Sequence, residues 1–147
     1  MTTTADPSSV RSATLRLDTG LAFLATSGSG HTVRLDTHAE DGGADSGPSP
    51  VELVLMAVGG CAGIDVISIL RKMRQDVTDY RVEVRGVRAE THPKVYTALE
   101  VVHIVTGHGV SREQAQRAVD LSAGTYCSVS AMLGASATVT QIGRAHV

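Results

Sequence analysis

Two side chains in this sequence can act as soft nucleophiles, Cys61 and Cys127, and they are its only cysteines. A free cysteine is among the most buried residue types and often does no more than fill space, so chemistry has to be argued from position. Cys127 stands where a short helix is expected to begin. Backbone N–H groups and the helix dipole there favour a thiolate. Cys61 stands in the middle of a helical segment, behind Gly59 and Gly60, with Asp65 one turn further on. A charged Asp65 opposes ionisation of Cys61, so activating it requires a cation or a thiol donor brought in by tertiary contact. Other groups offer less. The six histidines (His31, His38, His92, His103, His108 and His146) show no HxxxH or HxH spacing. His103 and His108 flank Thr106-Gly107 and read as turn histidines. Gly28, Gly30, Gly42 and Gly43 form no phosphate loop, and no P-loop lysine follows them. Neither a metal nor a cofactor is expected.

The element that must hold Cys61 is the stretch over residues 49–76. Ser49, Pro50 and Glu52 give an N-cap, a first-turn proline and the glutamate of a capping box. Arg71, Lys72 and Arg74 close the stretch, with cations at the end where the helix dipole favours them. Between these ends the segment is apolar on nearly every side, as a buried helix is. Glu52 therefore has two readings, the cap of this helix or a member of the site.

Short alternating segments at 12–17, 21–26 and 31–36 predict an antiparallel meander ahead of this helix. Residues 39–47 read as a Gly/Asp-rich loop. Strands are predicted over 80–84, with a bulge near Gly86, and over 95–106, which is apolar on both faces like a central strand. Ser111 and Gln114 open a second capped helix, residues 122–125 break it, 127–133 form a short third helix, and 137–142 form a last strand. The order βββ-α-ββ-α-α-β is that of an α+β domain, with antiparallel sheets around the central helix and a single domain over 1–147. Residues 1–10 read as a flexible tail. Met56, Met73 and Met132 read as core filler. A long helix that is apolar all round is hard for one chain of this size to cover, which predicts a homodimer built on it.

Composition narrows the classes. A net charge of −2 leaves no electrostatic footprint for nucleic acid or an anionic membrane. Aromatics make up 3% of the chain, too few for base stacking. The start, MTTTADPSSV, lacks the basic and apolar regions of a signal peptide, and two cysteines are too few for a disulfide scaffold. A reducing cytoplasm is expected. The uncharged run inside the helix, residues 53–64, is shorter than the roughly 20 residues a bilayer needs, so no membrane partner is expected.

The stretch SPVELVLMAVGGCAGIDVISILRKMRQ, followed later by YCSVSAML, resembles the OsmC/Ohr superfamily of thiol-dependent hydroperoxide reductases, and within it the YhfA-like branch. The resemblance runs from about Gly30 to Val139. It implies an α+β fold with a long buried central helix in an interlocked homodimer, and reduction of small organic or hydrogen peroxides. Cys61 would be the peroxidatic thiolate and pass to a sulfenic acid. Cys127 would be the resolving thiol and close a disulfide. A dithiol reductant of lipoyl or thioredoxin type would reset the pair. The sequence departs from the family at the activating groups. The characterised peroxidases carry a glutamate ten residues before the first cysteine, and it orients an arginine in the first hairpin. Here Val51 holds that position and Glu52 follows it, while residues 18–22 contain no arginine. Arg16 and Arg34 lie in neighbouring strands and read as solvated. A second class of function therefore stays open: a dimeric small-molecule-binding or redox-sensing protein with the same two cysteines. Residues 142–147 match one reading frame of a common sequencing-adapter oligonucleotide and are expected to be an artefact replacing a longer native end. Arg144 and His146 are given no role.

Overall fold

The computed structural model describes residues 6–146. The elements are β1 (Ala13–Leu17), β2 (Phe23–Ser27), β3 (Thr32–Leu35), α1 (Pro50–Lys72), β4 (Asp76–Arg88), β5 (Tyr96–His108), α2 (Arg112–Leu121), α3 (Ser128–Gly134) and β6 (Thr138–His146). This is the expected α+β order. Of the expected tail, residues 1–5 lie outside the described residues, and Pro7–Ser9 form a 3-10 turn capped by Asp6. The chain forms two compact units, Met1–Leu53 and Val54–Val147. The helix α1 starts in the first and continues through the second.

The first unit is the meander β1-β2-β3, antiparallel throughout. Its Gly/Asp-rich loop is organised by Asp36, which is buried. The Asp36 carboxylate accepts hydrogen bonds from Ser46 Oγ at 2.6 Å and from the backbone N–H groups of Thr37, Ser46 and Ala44 at 2.7, 3.1 and 3.3 Å. These donors, the Ser46 hydroxyl first, hold its carboxyl down at about 2. Arg34 forms an ion pair with Asp18 at 2.8 Å and donates to Ser46 Oγ, while Arg16 is exposed.

The second unit is a three-stranded sheet, β4-β5-β6, with helices packed on it. β5 is central and carries Val101, Val102, Ile104 and Val105, all buried, which explains its apolar character on both faces. β4 pairs antiparallel to it, but β6 pairs parallel. This corrects the expectation of purely antiparallel sheets. A parallel return needs a long crossover, and α2, the π turn and α3 supply it. The chain does not break over 122–125; it continues from α2 into a π turn at Ser122–Tyr126. The register shifts in β4 lie at Val77/Asp79 and at Val87/Arg88, the second beside Gly86 as expected. At Gly86 a Cβ would meet the Tyr96 ring, so that glycine answers to close packing. The last strand runs on to His146, with Ala145 packed on the core, and of the segment read as an artefact only Val147 lies outside the described residues.

The capping box that opens α1 is present: Ser49 N–H donates to Glu52 Oε1 at 3.0 Å, and Glu52 N–H donates to Ser49 Oγ at 3.3 Å. The helix is shorter than expected because it stops at Lys72 and Arg74 takes a left-handed φ of 59°. Val58, Gly59, Ala62, Gly63, Val66 and Leu70 are buried. The two glycines let α1 lie close on β4, since a Cβ at Gly59 would approach Val84 Cγ2 to 2.9 Å and one at Gly63 would approach Val82 Cγ2 to 3.3 Å. The helix is not buried all round within one chain. Met56 is 59% and Ile64 71% exposed, and Gly60 between them is exposed. Met132 is exposed as well, so of the three expected core methionines only Met73 packs against the core. By length and composition α1 could cross a membrane, contrary to the count from the uncharged run alone. Core helices of water-soluble folds meet the same measure.

Candidate functional site

Cys61 lies on α1, half-buried, and Asp65 follows at i+4, so both project from one face of the helix. Cys127 is buried and is the N-cap of α3. The π turn brings it to α1. At the start of that turn Ser122 Oγ donates to Asp65 Oδ2 at 3.1 Å. At its end Cys127 N–H donates to the Ser122 carbonyl at 2.8 Å. The sulfurs of Cys61 and Cys127 and a carboxylate oxygen of Asp65 consequently all lie within 4.8 Å of one another. Both cysteines are free thiols. The two sulfurs meet in space, and the aspartate expected to oppose Cys61 stands beside them.

Cys127 Sγ accepts hydrogen bonds from Ser130 Oγ at 2.9 Å and from Ser130 N–H at 3.4 Å. Burial pushes the Cys127 thiol up. The two Ser130 bonds pull it down in part, and the hydrogen bond to Cys61 and that sulfur's charge push it up again. The net direction is up, which favours the protonated form of Cys127. Among the described residues Asp65 makes no ion pair with a lysine, arginine or histidine. A pocket of about 350 Å³ borders Asp65, with Ser68, Lys72, Leu121 and Tyr126 in its wall.

Behind Cys127 the polar contacts continue across the sheet. Gln141 Nε2 donates to Ser130 Oγ at 2.8 Å. Gln141 Oε1 lies 3.1 Å from His103 Nε2, and His103 Nδ1 is hydrogen-bonded to the Tyr80 hydroxyl. The Tyr80 and His103 rings stack at 6.1 Å. Burial pushes the His103 imidazole down, with the Gln141 bond opposing that, and burial raises the Tyr80 phenol. His103 is fully buried in the central strand, which corrects its reading as a turn histidine. His108 ends the same strand and contacts Asp76 at 2.9 Å.

Glu52, the third candidate residue, has its carboxylate held by Ser49 in the cap, and that bond lowers it; His38 lies 3.8 Å away. Sequence reasoning missed Ser130, Gln141, His103 and Tyr80. The available signal was a histidine inside an apolar central strand.

A family profile described as OsmC-like protein matches residues 42–142. Protein YhfA of Escherichia coli K12 is 46% identical over 121 residues, covering 82% of this chain and 87% of that protein. A solved structure of a hypothetical protein from Aquifex aeolicus is 33% identical, with a TM-score of 0.81, covering 93% of this chain and 96% of that one. The organic hydroperoxide resistance protein OhrB of Bacillus subtilis superposes with a TM-score of 0.61 at 19% identity, covering 92% of this chain and 98% of that one, and shares the fold.

Proposed function

The chain belongs to the OsmC-like protein family, and on that footing we propose that it reduces small hydroperoxides through a two-cysteine cycle. The observation that carries this reading is the pair of free thiols whose sulfurs lie within 4.8 Å of each other. The Cys61 thiolate attacks the terminal peroxide oxygen. The O–O bond breaks, the alkoxide leaves and takes a proton to become an alcohol, and Cys61 becomes a sulfenic acid. The Cys127 sulfur then attacks the Cys61 sulfur. An S–S bond forms, the S–O bond breaks, and the hydroxyl leaves as water with the Cys127 proton. A dithiol reductant of lipoyl or thioredoxin type takes the disulfide back to two thiols. Solved structures of organic hydroperoxide resistance proteins with the same fold support the peroxide class.

The exposed stripe Met56, Gly60 and Ile64 on α1 supports a homodimer. A monomeric mass in light scattering would remove that part. The lack of an ion-paired cation at Asp65 among the described residues favours the second reading, in which the thiols are slow and the pocket beside Asp65 holds a small molecule. Peroxide consumption with a dithiol reductant decides between them. Wild type is expected to turn over, Cys61→Ser to be inactive, and Cys127→Ser to stall after one oxidation. A wild-type rate no faster than Cys61→Ser ends the enzyme reading.

A further inference from the structure

The hydrogen bonds behind Cys127 can be arranged in one direction only, given the amide orientation at Gln141. Gln141 Nε2 donates to Ser130 Oγ, so Gln141 Oε1 is left to accept. An amide oxygen cannot donate, so His103 Nε2 carries the hydrogen at the 3.1 Å contact. The buried imidazole is neutral, which makes Nδ1 the acceptor and Tyr80 O–H the donor. At the other end Ser130 O–H is committed to Cys127 Sγ at 2.9 Å, and the Ser130 oxygen already accepts from Gln141. Ser130 has one hydroxyl hydrogen, and it points at the sulfur. Cys127 S–H therefore cannot donate to Ser130 without reversing that hydroxyl; Cys61 Sγ and an Asp65 carboxylate oxygen both lie within 4.8 Å of it, and Cys61 is the one hydrogen-bonded to it.

We propose that Tyr80, His103, Gln141 and Ser130 form a polarised hydrogen-bond chain that turns the Cys127 S–H toward Cys61 and so activates Cys61. The chain crosses all three strands of the sheet, from β4 through β5 to β6, and ends at the start of α3. Register places the members on diagonals: His103 pairs with Val82, two residues from Tyr80, and Gln141 pairs with Val101, two residues from His103. None of the four touches a peroxide; they are positioning residues, and the sulfur that reacts is one thiol beyond them. Bonds aligned head to tail in a buried setting polarise one another, which strengthens the last donor. Among the described residues, the histidine, cysteine and carboxylate groups that cluster with Cys61 are Asp65 from its own helix and Cys127 itself. This inference rests on the peroxide-reducing reading for its purpose, but its geometry does not depend on it.

The decisive variant is Gln141→Glu. A carboxylate there still accepts from His103 but cannot donate, so Ser130 O–H turns to it and the Ser130 oxygen becomes an acceptor for Cys127 S–H. The rate of Cys61 alkylation by iodoacetamide at pH 7, followed by peptide mass spectrometry, is expected to fall about tenfold, the size of one hydrogen bond to a charged group. Adding Ser130→Ala removes the acceptor that diverts Cys127, so the double variant recovers most of the wild-type rate. A purely structural or charge effect of the introduced carboxylate would persist in the double variant, and that result overturns the proposal. A second measurement needs no variant: ¹⁵N NMR of wild type is expected to show His103 as the Nε2–H tautomer, and a protonated Nδ1 refutes the chain. Peroxide turnover measured in parallel separates the two ideas. Loss of turnover in wild type with the alkylation pattern intact sinks the peroxidase alone.

Discussion

Replacing His103 with glutamine should change how stability depends on pH, and the direction follows from burial. His103 is fully buried with both ring nitrogens engaged, one to Tyr80 and one to Gln141. Burial holds its imidazole below the ordinary value of 6.5. In the unfolded chain the ring takes a proton as pH falls through that value, while in the folded chain it stays neutral. Below about 6.5 the unfolded state therefore binds more protons, and wild type loses up to about 1.4 kcal/mol of stability per pH unit until the folded imidazole also titrates. Glutamine retains a donor and an acceptor but does not titrate. It reaches one of the two partners rather than both, which leaves a buried polar group unpaired at a cost of about 1–3 kcal/mol at any pH. At pH 7.5 the variant should be less stable by that amount. At pH 5.5 the gap should shrink by about 1 kcal/mol as wild type falls. Urea unfolding at both pH values measures each stability. The other five histidines are present in both proteins and cancel in the difference. A gap that stays constant over this range refutes the assignment of His103 as a buried neutral group.

Asp36 gives a slope of the same sign at a lower pH. Its carboxyl is held at about 2 by Ser46 and three backbone donors, so its contribution is complete above its ordinary value of 3.8 and is lost as pH falls toward 2; Asp36→Asn should flatten the acid limb of the unfolding curve, and an unchanged limb counts against it. Asp65→Asn removes the negative charge beside both sulfurs, so Cys61 alkylation at pH 7 should speed up several-fold; no change would mean that water screens the carboxylate.

What could be read from the sequence was whatever is set by neighbours along the chain. Ser49 with Glu52 and Ser111 with Gln114 are separated by three residues, and both capping boxes form. The first three strands form where alternation places them, although β1 is exposed along its whole length, and the central strand forms where the run is apolar on both faces. The placing of Cys127 at a helix start holds too, because its bond to Ser130 N–H is local. What could not be read depends on register between distant segments. The parallel pairing of β6 is invisible to patterning, since alternation is the same in either direction. The exposed stripe on α1 is hidden by composition: Met56 and Ile64 look like core, and only the position of the sheet shows which face they occupy.

The activating apparatus shows the same division more sharply. The sequence required that Cys61 meet a cation or a thiol donor. It could not say which, because Cys61, Ser130, Gln141, His103 and Tyr80 belong to five different elements. The structure places the Cys127 thiol there, with an aspartate beside it that no described cation pairs. A family arginine stabilises a thiolate by charge. Here a directed S–H performs that task against a nearby negative charge, and it performs it only while Ser130 is turned toward Cys127. An activation built from orientation can be lost through a single amide or hydroxyl rotation, with no side chain leaving its place. Cys61 reactivity should therefore respond to substitutions as far away as Tyr80, whose strand is separated from that of Gln141 by the whole width of β5. In a charge-activated site, residues at that remove would matter only through folding.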